Sequence, residues 1–118
     1  MKVVINDRFG GYGLSDKAIA RYAELKGINL VPIDHHDHLS DHGWYNWYLD
    51  GVKDSAHWFD EDSIPRDDPA LVQTVEELGE DSFGFLAKLK VVEIPDDVDW
   101  YVAEYDGKER VAERHRTW

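Results

Sequence analysis

The spacing of apolar residues along the chain predicts two amphipathic helices. The first runs from a cap at Ser15 to a stop at Gly27, and its apolar side carries Ala18, Ile19, Tyr22, Ala23 and Leu25. The second begins at Pro69, after a cap at Asp68, and ends at Gly79. Its apolar stripe consists of Leu71, Val72, Val75 and Leu78.

Shorter runs rich in β-branched and aromatic residues predict strands around these helices. The runs cover residues 2–6, 28–33, 88–95 and 98–105. Pro32 favours a sheet edge for the second run, and Asp106-Gly107 predicts a hairpin after the last one. Residues 109–118 contain too few apolar positions to decide between strand and helix. The elements together predict an α+β fold, with a small mixed, mainly antiparallel sheet and two amphipathic helices.

The segment from residue 34 to residue 64 fits neither the helical period of 3.6 residues nor the strand period of two residues, because it mixes histidines, acids and aromatic residues. Residues 44–49 are apolar on both faces, which predicts a half-buried strand or hairpin. His38 and His42 have the i, i+4 spacing of metal ligands on a helix, and they lie in a cluster with His35, His36, Asp34, Asp37 and Asp41. The sequence around them is typical of a solvated polar loop and no H-E-x-x-H pattern occurs. We therefore expect neither a metal nor a cofactor.

Length and composition indicate one domain that spans residues 1–118. Hydrophobic residues make up 42% of the chain, which suffices for one compact core. The chain has no cysteine, which excludes disulfides, thiolate metal ligands and cysteine nucleophiles. The amino-terminal apolar run is too short for a signal peptide, and no run approaches the ~20 residues of a membrane-spanning helix. We expect a cytoplasmic protein.

Charge narrows the classes of partner. The formal net charge is −12, which disfavours duplex nucleic acid and anionic membrane surfaces as partners. The segment 107–118 departs from this average, because it holds four cationic residues against two acids and carries +2. A small anionic ligand would therefore need a local basic pocket.

No pattern of catalytic residues is visible. None of the serines lies in a nucleophile-elbow sequence, and the adjacent acids Asp96 and Asp97 follow Pro95, where a turn is expected. No set of residues satisfies an acid–base or triad template. We expect no catalytic residues and no enzymatic activity.

Candidate anion-binding residues begin with a glycine-rich segment before the first helix, formed by Arg8, Phe9, Gly10, Gly11, Tyr12 and Ser15. Backbone N–H groups at such a helix start can hold a phosphate. The same glycines also suit a tight turn that needs positive φ, so both interpretations stay open. Arg66, just before the second helix, either contacts a phosphate or pairs with a neighbouring acid such as Asp67 or Asp68.

The carboxyl-terminal segment combines cations with an aromatic residue, in Arg110, Arg114, His115, Arg116 and Trp118. A purine can stack on an indole or guanidinium plane while a pyrophosphate contacts the arginines. The alternative is electrostatic docking of this tail on the acidic body. Further stacking candidates, each of which also suits the core, are Phe9, Tyr12, Phe83 and Phe85.

Several stretches together resemble a known family: Val3-Val4-Ile5-Asn6, Phe9-Gly10-Gly11-Tyr12-Gly13-Leu14-Ser15 with Ala18, residues 69–79, residues 89–100, Glu104-Tyr105-Asp106-Gly107, and His115, Arg116 and Trp118. They cover roughly two thirds of the chain. They resemble a widespread family of small phage-encoded proteins that is similar to the first-described Thoeris anti-defence sponges. Residues 34–64 depart from the family pattern, in a segment that is short and rich in aromatic residues.

This resemblance implies a non-enzymatic phage anti-defence protein in the cytoplasm of the host cell. Such proteins bind and sequester cyclic nucleotide-derived immune signals, here cyclic ADP-ribose isomers or cyclic oligonucleotides. It also implies a homo-oligomer, either a dimer or a hexamer, with pockets between chains. The residues alone leave an alternative open, an interaction protein that blocks a host protein through an exposed aromatic surface at Trp44, Tyr45, Trp47 and Tyr48.

Overall fold

A computed structural model describes residues 1–34 and 45–114. Within these ranges the chain forms six strands and two α-helices, with short 3-10 turns at Glu61–Ser63 and Gly79–Ser82. In chain order the elements are β1 (Lys2–Asn6), α1 (Asp16–Lys26), β2 (Leu30–Asp34), β3 (Tyr45–Leu49), α2 (Pro69–Leu78), β4 (Leu89–Glu93), β5 (Trp100–Tyr105) and β6 (Lys108–Glu113).

Both predicted helices are confirmed, together with their caps. The Ser15 hydroxyl accepts a hydrogen bond from the Ala18 N–H at 3.1 Å, and Gly27 ends α1 in the left-handed region with φ of 70°. The Asp68 carboxylate accepts from the Ala70 N–H at 2.9 Å at the start of α2. In the part of the chain that the structure describes, neither helix is long and apolar enough to cross a membrane.

The α+β class is confirmed, but the strands do not form the single sheet that was predicted. They form three antiparallel pairs, β1 with β4, β2 with β3 and β5 with β6, and no parallel pair occurs in the described ranges. Side chains join β6 to β1 where a continuous sheet would use a backbone ladder. The backbone N–H of Asn6 donates to the Glu109 carboxylate at 2.8 Å, and the Asn6 amide donates to the Gly107 carbonyl at 2.7 Å.

Strand boundaries shift where backbone groups are engaged elsewhere. The predicted strand at residue 28 begins only at Leu30, because the N–H of Ile28 donates to the Ala23 carbonyl in the end of α1. The undecided segment after residue 108 is a strand, since its residues pair with β5 across the Asp106-Gly107 turn.

The core lies between the β1–β4 pair and the two helices. Its buried members include Val4, Leu14, Leu71, Val75 and Leu89. The cap residue Asp68 is also buried, and it accepts a hydrogen bond from the Tyr22 hydroxyl at 2.9 Å and pairs with Lys26 at 3.0 Å. This arrangement leaves the β5–β6 hairpin on one side of the core, against the glycine-rich segment.

Candidate functional site

The glycine-rich segment is a place where three stretches of backbone meet. The Gly84 N–H donates to the Gly13 carbonyl at 2.9 Å, and the Gly10 N–H donates to the Asp106 carbonyl at 3.0 Å. A Cβ added to Gly84 would lie 2.5 Å from the Gly13 carbonyl carbon, and one added to Gly107 would overlap the backbone of Gly11. Glycine is required at these positions because the backbones approach too closely for a side chain.

The chain's own groups occupy the position predicted for a phosphate. The Leu14 N–H donates to the carboxylate of Glu61, and the Ser15 N–H donates to the Ser82 carbonyl at 3.0 Å. Ser15 itself caps α1 and donates its hydroxyl to the Asp81 carbonyl. Glu61 therefore takes the place of an external anion at the start of α1.

Burial perturbs the ionisation of Glu61. Desolvation, reinforced by the neighbouring acids Asp62, Asp60 and Asp16, raises the pKa of the Glu61 carboxyl from 4.5 to about 7. The hydrogen bond from Leu14 opposes this shift without cancelling it. Because the folded-state pKa lies above the unfolded one, folding favours the protonated acid.

We expect Glu61→Gln to remove a pH dependence from the stability of the protein. The wild-type contribution is fully present below about pH 4.5 and is lost as the pH rises through about 7. The unfolding free energy of the variant should therefore rise relative to wild type by about 1–3 kcal/mol between about pH 5 and pH 8. Urea denaturation at several pH values measures the difference. The exposed acid variant Glu80→Gln is the control, and a Glu61→Gln curve parallel to wild type would contradict the prediction.

Arg66 lies in a buried cluster and pairs with an acid. Its guanidinium makes two contacts with Glu109, at 2.6 and 2.9 Å, and its Cζ lies 3.4 Å from the centroid of the Tyr12 ring. Burial opposes its charge, but the hydrogen bonds with Glu109 keep the pKa of Arg66 above its ordinary value. Burial also raises the pKa of Tyr12, whose hydroxyl is buried without a hydrogen-bond partner in the described ranges. Arg66 is thus paired with Glu109 and stacked on the Tyr12 ring inside the protein, where neither Arg66 nor Tyr12 is open to an external phosphate.

The other candidate residues lie apart from this cluster. Arg114 pairs with Asp99 at 3.2 Å at the far end of the β5–β6 hairpin, and Phe83 packs against the core beside Leu14. Arg8 is exposed next to Phe9. The remaining tail candidates, His115, Arg116 and Trp118, lie outside the described residues.

Phe9 borders a cleft against the β5–β6 hairpin, which we call the hairpin cleft. Its volume is about 210 Å³, and its lining includes Phe9, Ala103, Glu104, Tyr105, Lys108, Glu109 and Arg110. Phe9 is 57% exposed and Tyr105 is 74% exposed. Their ring centroids lie 6.4 Å apart in an edge-to-face arrangement, and the Lys108 ammonium lies 5.7 Å from the centroid of Phe9.

The hairpin cleft is locally cationic on an acidic protein. Arg110 has no acidic partner among residues 1–34 and 45–114, and Lys108 approaches Asp7 only to 3.8 Å. Arg66 compensates the charge of Glu109, so the lining carries two cations against one carboxylate without a cationic partner in the described ranges, that of Glu104, which accepts a hydrogen bond from the Gly107 N–H at 3.1 Å. Two cations and two exposed rings therefore face one opening, which suits a planar anionic ligand.

The sequence alone indicated Phe9 and Arg110 as candidates but not Tyr105 and Lys108. These two residues face each other across the hairpin, and the Asp106-Gly107 turn already predicts that pairing. The approach of the Phe9 segment to this hairpin has no comparable local signal.

The aromatic surface of the alternative function is only partly exposed. Trp47 is only 7% exposed and belongs to the core, where its indole N–H donates to Asp16 at 2.8 Å. The prediction that Trp47 forms part of the exposed surface is therefore wrong. Tyr48 is half-buried and Tyr45 is 45% exposed. Trp44 lies outside the described residues.

Metal binding finds no support in the described part of the chain. Residues 1–34 and 45–114 contain no group of three or more histidines and acids that could hold a metal ion. The predicted cluster at His35, His36, His38 and His42 lies outside these ranges.

Comparison of the chain with protein-family models, with curated proteins and with solved structures gave no match.

Proposed function

We propose that this protein binds a small nucleotide-derived anion in the hairpin cleft and holds it without chemical change. Following the resemblance of its sequence, the ligand is a cyclic ADP-ribose isomer or a related cyclic nucleotide signal, and the biological effect is sequestration of that signal from a host defence. The observation that supports this proposal is that one opening is lined by two aromatic and two cationic residues, Phe9, Tyr105, Lys108 and Arg110.

Stacking supports a ligand with an aromatic base. Phe9 and Tyr105 expose most of their ring surface and hold an edge-to-face contact with each other. A base that covers one of these rings gains contact area and excludes water from it, and such stacking is worth about 1–3 kcal/mol per base in nucleotide-binding proteins.

Charge supports an anionic ligand at this position. The guanidinium of Arg110 offers paired N–H donors that match phosphate geometry, and Lys108 adds a second positive charge. Because the rest of the chain is strongly acidic, a phosphate is favoured only where cations outnumber uncompensated acids.

The engagement of the acids supports binding without turnover. Both acids that line the hairpin cleft, Glu104 and Glu109, already accept hydrogen bonds from groups of the chain. A general acid or base needs a carboxyl group that is free to exchange a proton with the ligand. Glu109 is not placed for that role, because both of its oxygens accept from Arg66, and Glu104 has one oxygen bonded to the Gly107 N–H.

The size of the cleft supports a pocket completed by a second copy of the chain. Small-molecule pockets commonly measure about 300–1,000 Å³, whereas the hairpin cleft of one chain offers about 210 Å³. A homo-oligomer in which a second surface covers the exposed rings would enclose the ligand and slow its release.

The test is to mix the protein with cyclic ADP-ribose isomers, measure binding by calorimetry, and then heat-denature the complex. Mass spectrometry of the supernatant should recover the intact signal. We expect Tyr105→Ala and Arg110→Ala each to weaken binding by about 1–3 kcal/mol, because each removes one stacking or charge-assisted contact.

Matched controls lie on the same hairpin. Tyr101→Ala and Arg114→Ala remove a tyrosine and an arginine that do not line the hairpin cleft. The Cζ of Arg114 lies 5.5 Å from the centroid of the Tyr101 ring. These two variants should bind like wild type. Recovery of a cleaved product would refute sequestration, and an equal loss in Arg110→Ala and Arg114→Ala would refute the hairpin cleft as the site.

A further inference from the structure

A second, smaller cavity lies on another part of the molecule, and we call it the indole pocket. Its volume is about 80 Å³, and its lining includes Tyr45, Asn46, Trp47, Trp58, Phe59 and Glu61. None of these residues lines the hairpin cleft. The indole pocket is therefore a separate candidate site, and its assignment does not depend on the proposed function.

Backbone pairing holds the aromatic walls in place. Residues 57–59 run beside β3, where the Phe59 N–H donates to the Trp47 carbonyl at 2.8 Å and the Leu49 N–H donates to the His57 carbonyl at 2.7 Å. The Phe59 ring also packs against Tyr22, with centroids 6.2 Å apart. The pocket is thus built on paired backbone segments.

The aromatic residues that line the indole pocket differ in their exposure to solvent. The indole N–H of Trp47 is bonded to Asp16 at 2.8 Å, and only 7% of this residue is exposed. Trp58 and Tyr45 are 51% and 45% exposed, so their rings remain available to a ligand. A bound group would meet indole and phenol rings on several sides.

Glu61 gives the indole pocket a negative pole above about pH 7, where its carboxyl is ionised. One of its carboxylate oxygens accepts from the Leu14 N–H, and the other has no donor among residues 1–34 and 45–114. Asp16, Asp60 and Asp62 add negative potential around it, which is why they raise the pKa of this carboxyl. No basic side chain in the described ranges lines the cavity.

We propose that the indole pocket binds the head group of a free small molecule that carries a quaternary ammonium. Electron-rich aromatic faces attract such cations, and proteins recognise quaternary ammonium groups with aromatic cages. The methyl groups of such a cation can contact the aromatic rings that line the cavity, whereas a metal ion or a lysine ammonium would lose strong hydration on the same contact. The volume suits a head group and is too small for a nucleotide.

The experiment titrates choline chloride into the full-length protein at constant ionic strength and follows the indole N–H signals by NMR. The chain has five tryptophans, so the signals are few enough to assign by substitution. We expect saturable shifts of the Trp47 and Trp58 signals. The neutral carbon isostere of choline, 3,3-dimethyl-1-butanol, should bind at least tenfold more weakly, because it has the same shape without the charge.

Two variants test the residues of the indole pocket. Trp58→Leu keeps an apolar side chain at an exposed position and should weaken choline binding about 2- to 30-fold, the loss of one cation–π contact. Glu61→Gln keeps an acceptor for Leu14 and should also weaken it. Tyr105→Ala, in the hairpin cleft, should bind choline like wild type. Equal binding of the isostere, absence of saturable shifts, or an unchanged affinity in Trp58→Leu would overturn the proposal.

Discussion

Replacing Glu109 with glutamine is expected to lower the free energy of unfolding by about 3–5 kcal/mol. Glu109 is 8% exposed and forms two charge-assisted contacts with Arg66, whose guanidinium is pressed against the Tyr12 ring. The substitution leaves this guanidinium as a buried charge without a counter-charge. Since domains are typically stable by only about 5–15 kcal/mol, the variant should lie close to the unfolding threshold.

Urea denaturation followed by tryptophan fluorescence measures this effect. Glu113→Gln is the matched control, because it removes an exposed acid from the same strand, and it should stay within about 0.5 kcal/mol of wild type. The double variant Arg66→Met with Glu109→Leu should recover part of the loss, since apolar residues avoid the desolvation of both charges but leave the buried Asn6 N–H without its acceptor. A Glu109→Gln variant within about 1 kcal/mol of wild type would show that the pair is not structurally important.

Three glycine-to-alanine substitutions should separate the cost of positive φ from the cost of close backbone contact. In Gly27→Ala the new Cβ meets nothing within 4 Å, so only the φ of 70° is penalised, by about 1 kcal/mol. In Gly84→Ala the φ is not positive, but the Cβ would lie 2.5 Å from the Gly13 carbonyl carbon, which should cost about 1–3 kcal/mol. In Gly107→Ala both penalties apply, with φ of 87° and an overlap with Gly11.

The expected order of destabilisation is therefore Gly27→Ala, then Gly84→Ala, then Gly107→Ala. Thermal and urea unfolding of the three variants under one buffer condition gives the comparison. Gly107→Ala should also change the position of the β5–β6 hairpin relative to β1, because the Gly107 carbonyl accepts a hydrogen bond from the Asn6 amide. A Gly107→Ala variant no less stable than Gly27→Ala would mean that the hairpin does not pack against the glycine-rich segment as described.

The first of these predictions also concerns the proposed site. Glu109 borders the hairpin cleft, and its charge is cancelled there only because Arg66 reaches it from the core side. The buried pair therefore holds the β5–β6 hairpin against β1 and at the same time leaves Arg110 without an acidic partner at the opening, among the residues that the structure describes. We therefore expect stability and the proposed ligand binding to depend on the same guanidinium.

Local chemistry in the sequence determined both helices and the turn of the last hairpin. Ser15 and Asp68 cap their helices, Gly27 ends one of them, and Asp106-Gly107 turns the last hairpin, all as predicted. Each of these features depends on side chains and backbone groups within a few residues of one another, so the sequence carries them directly. The α+β class and the two amphipathic helices follow from the same short-range patterns.

Tertiary structure alone decided how the strands are joined and where the candidate sites lie. Arg66 meets Glu109 across 43 residues, and Glu61 meets Leu14 across 47. The approach of Phe9 to Tyr105, and of Trp47 to Asp16, likewise depends on which surfaces pack together. In a chain this rich in acids, many carboxylates are chemically equivalent partners for one arginine or one backbone N–H. The choice among them is made by the packing of the core, which places one carboxylate within hydrogen-bond reach and leaves the others in solvent.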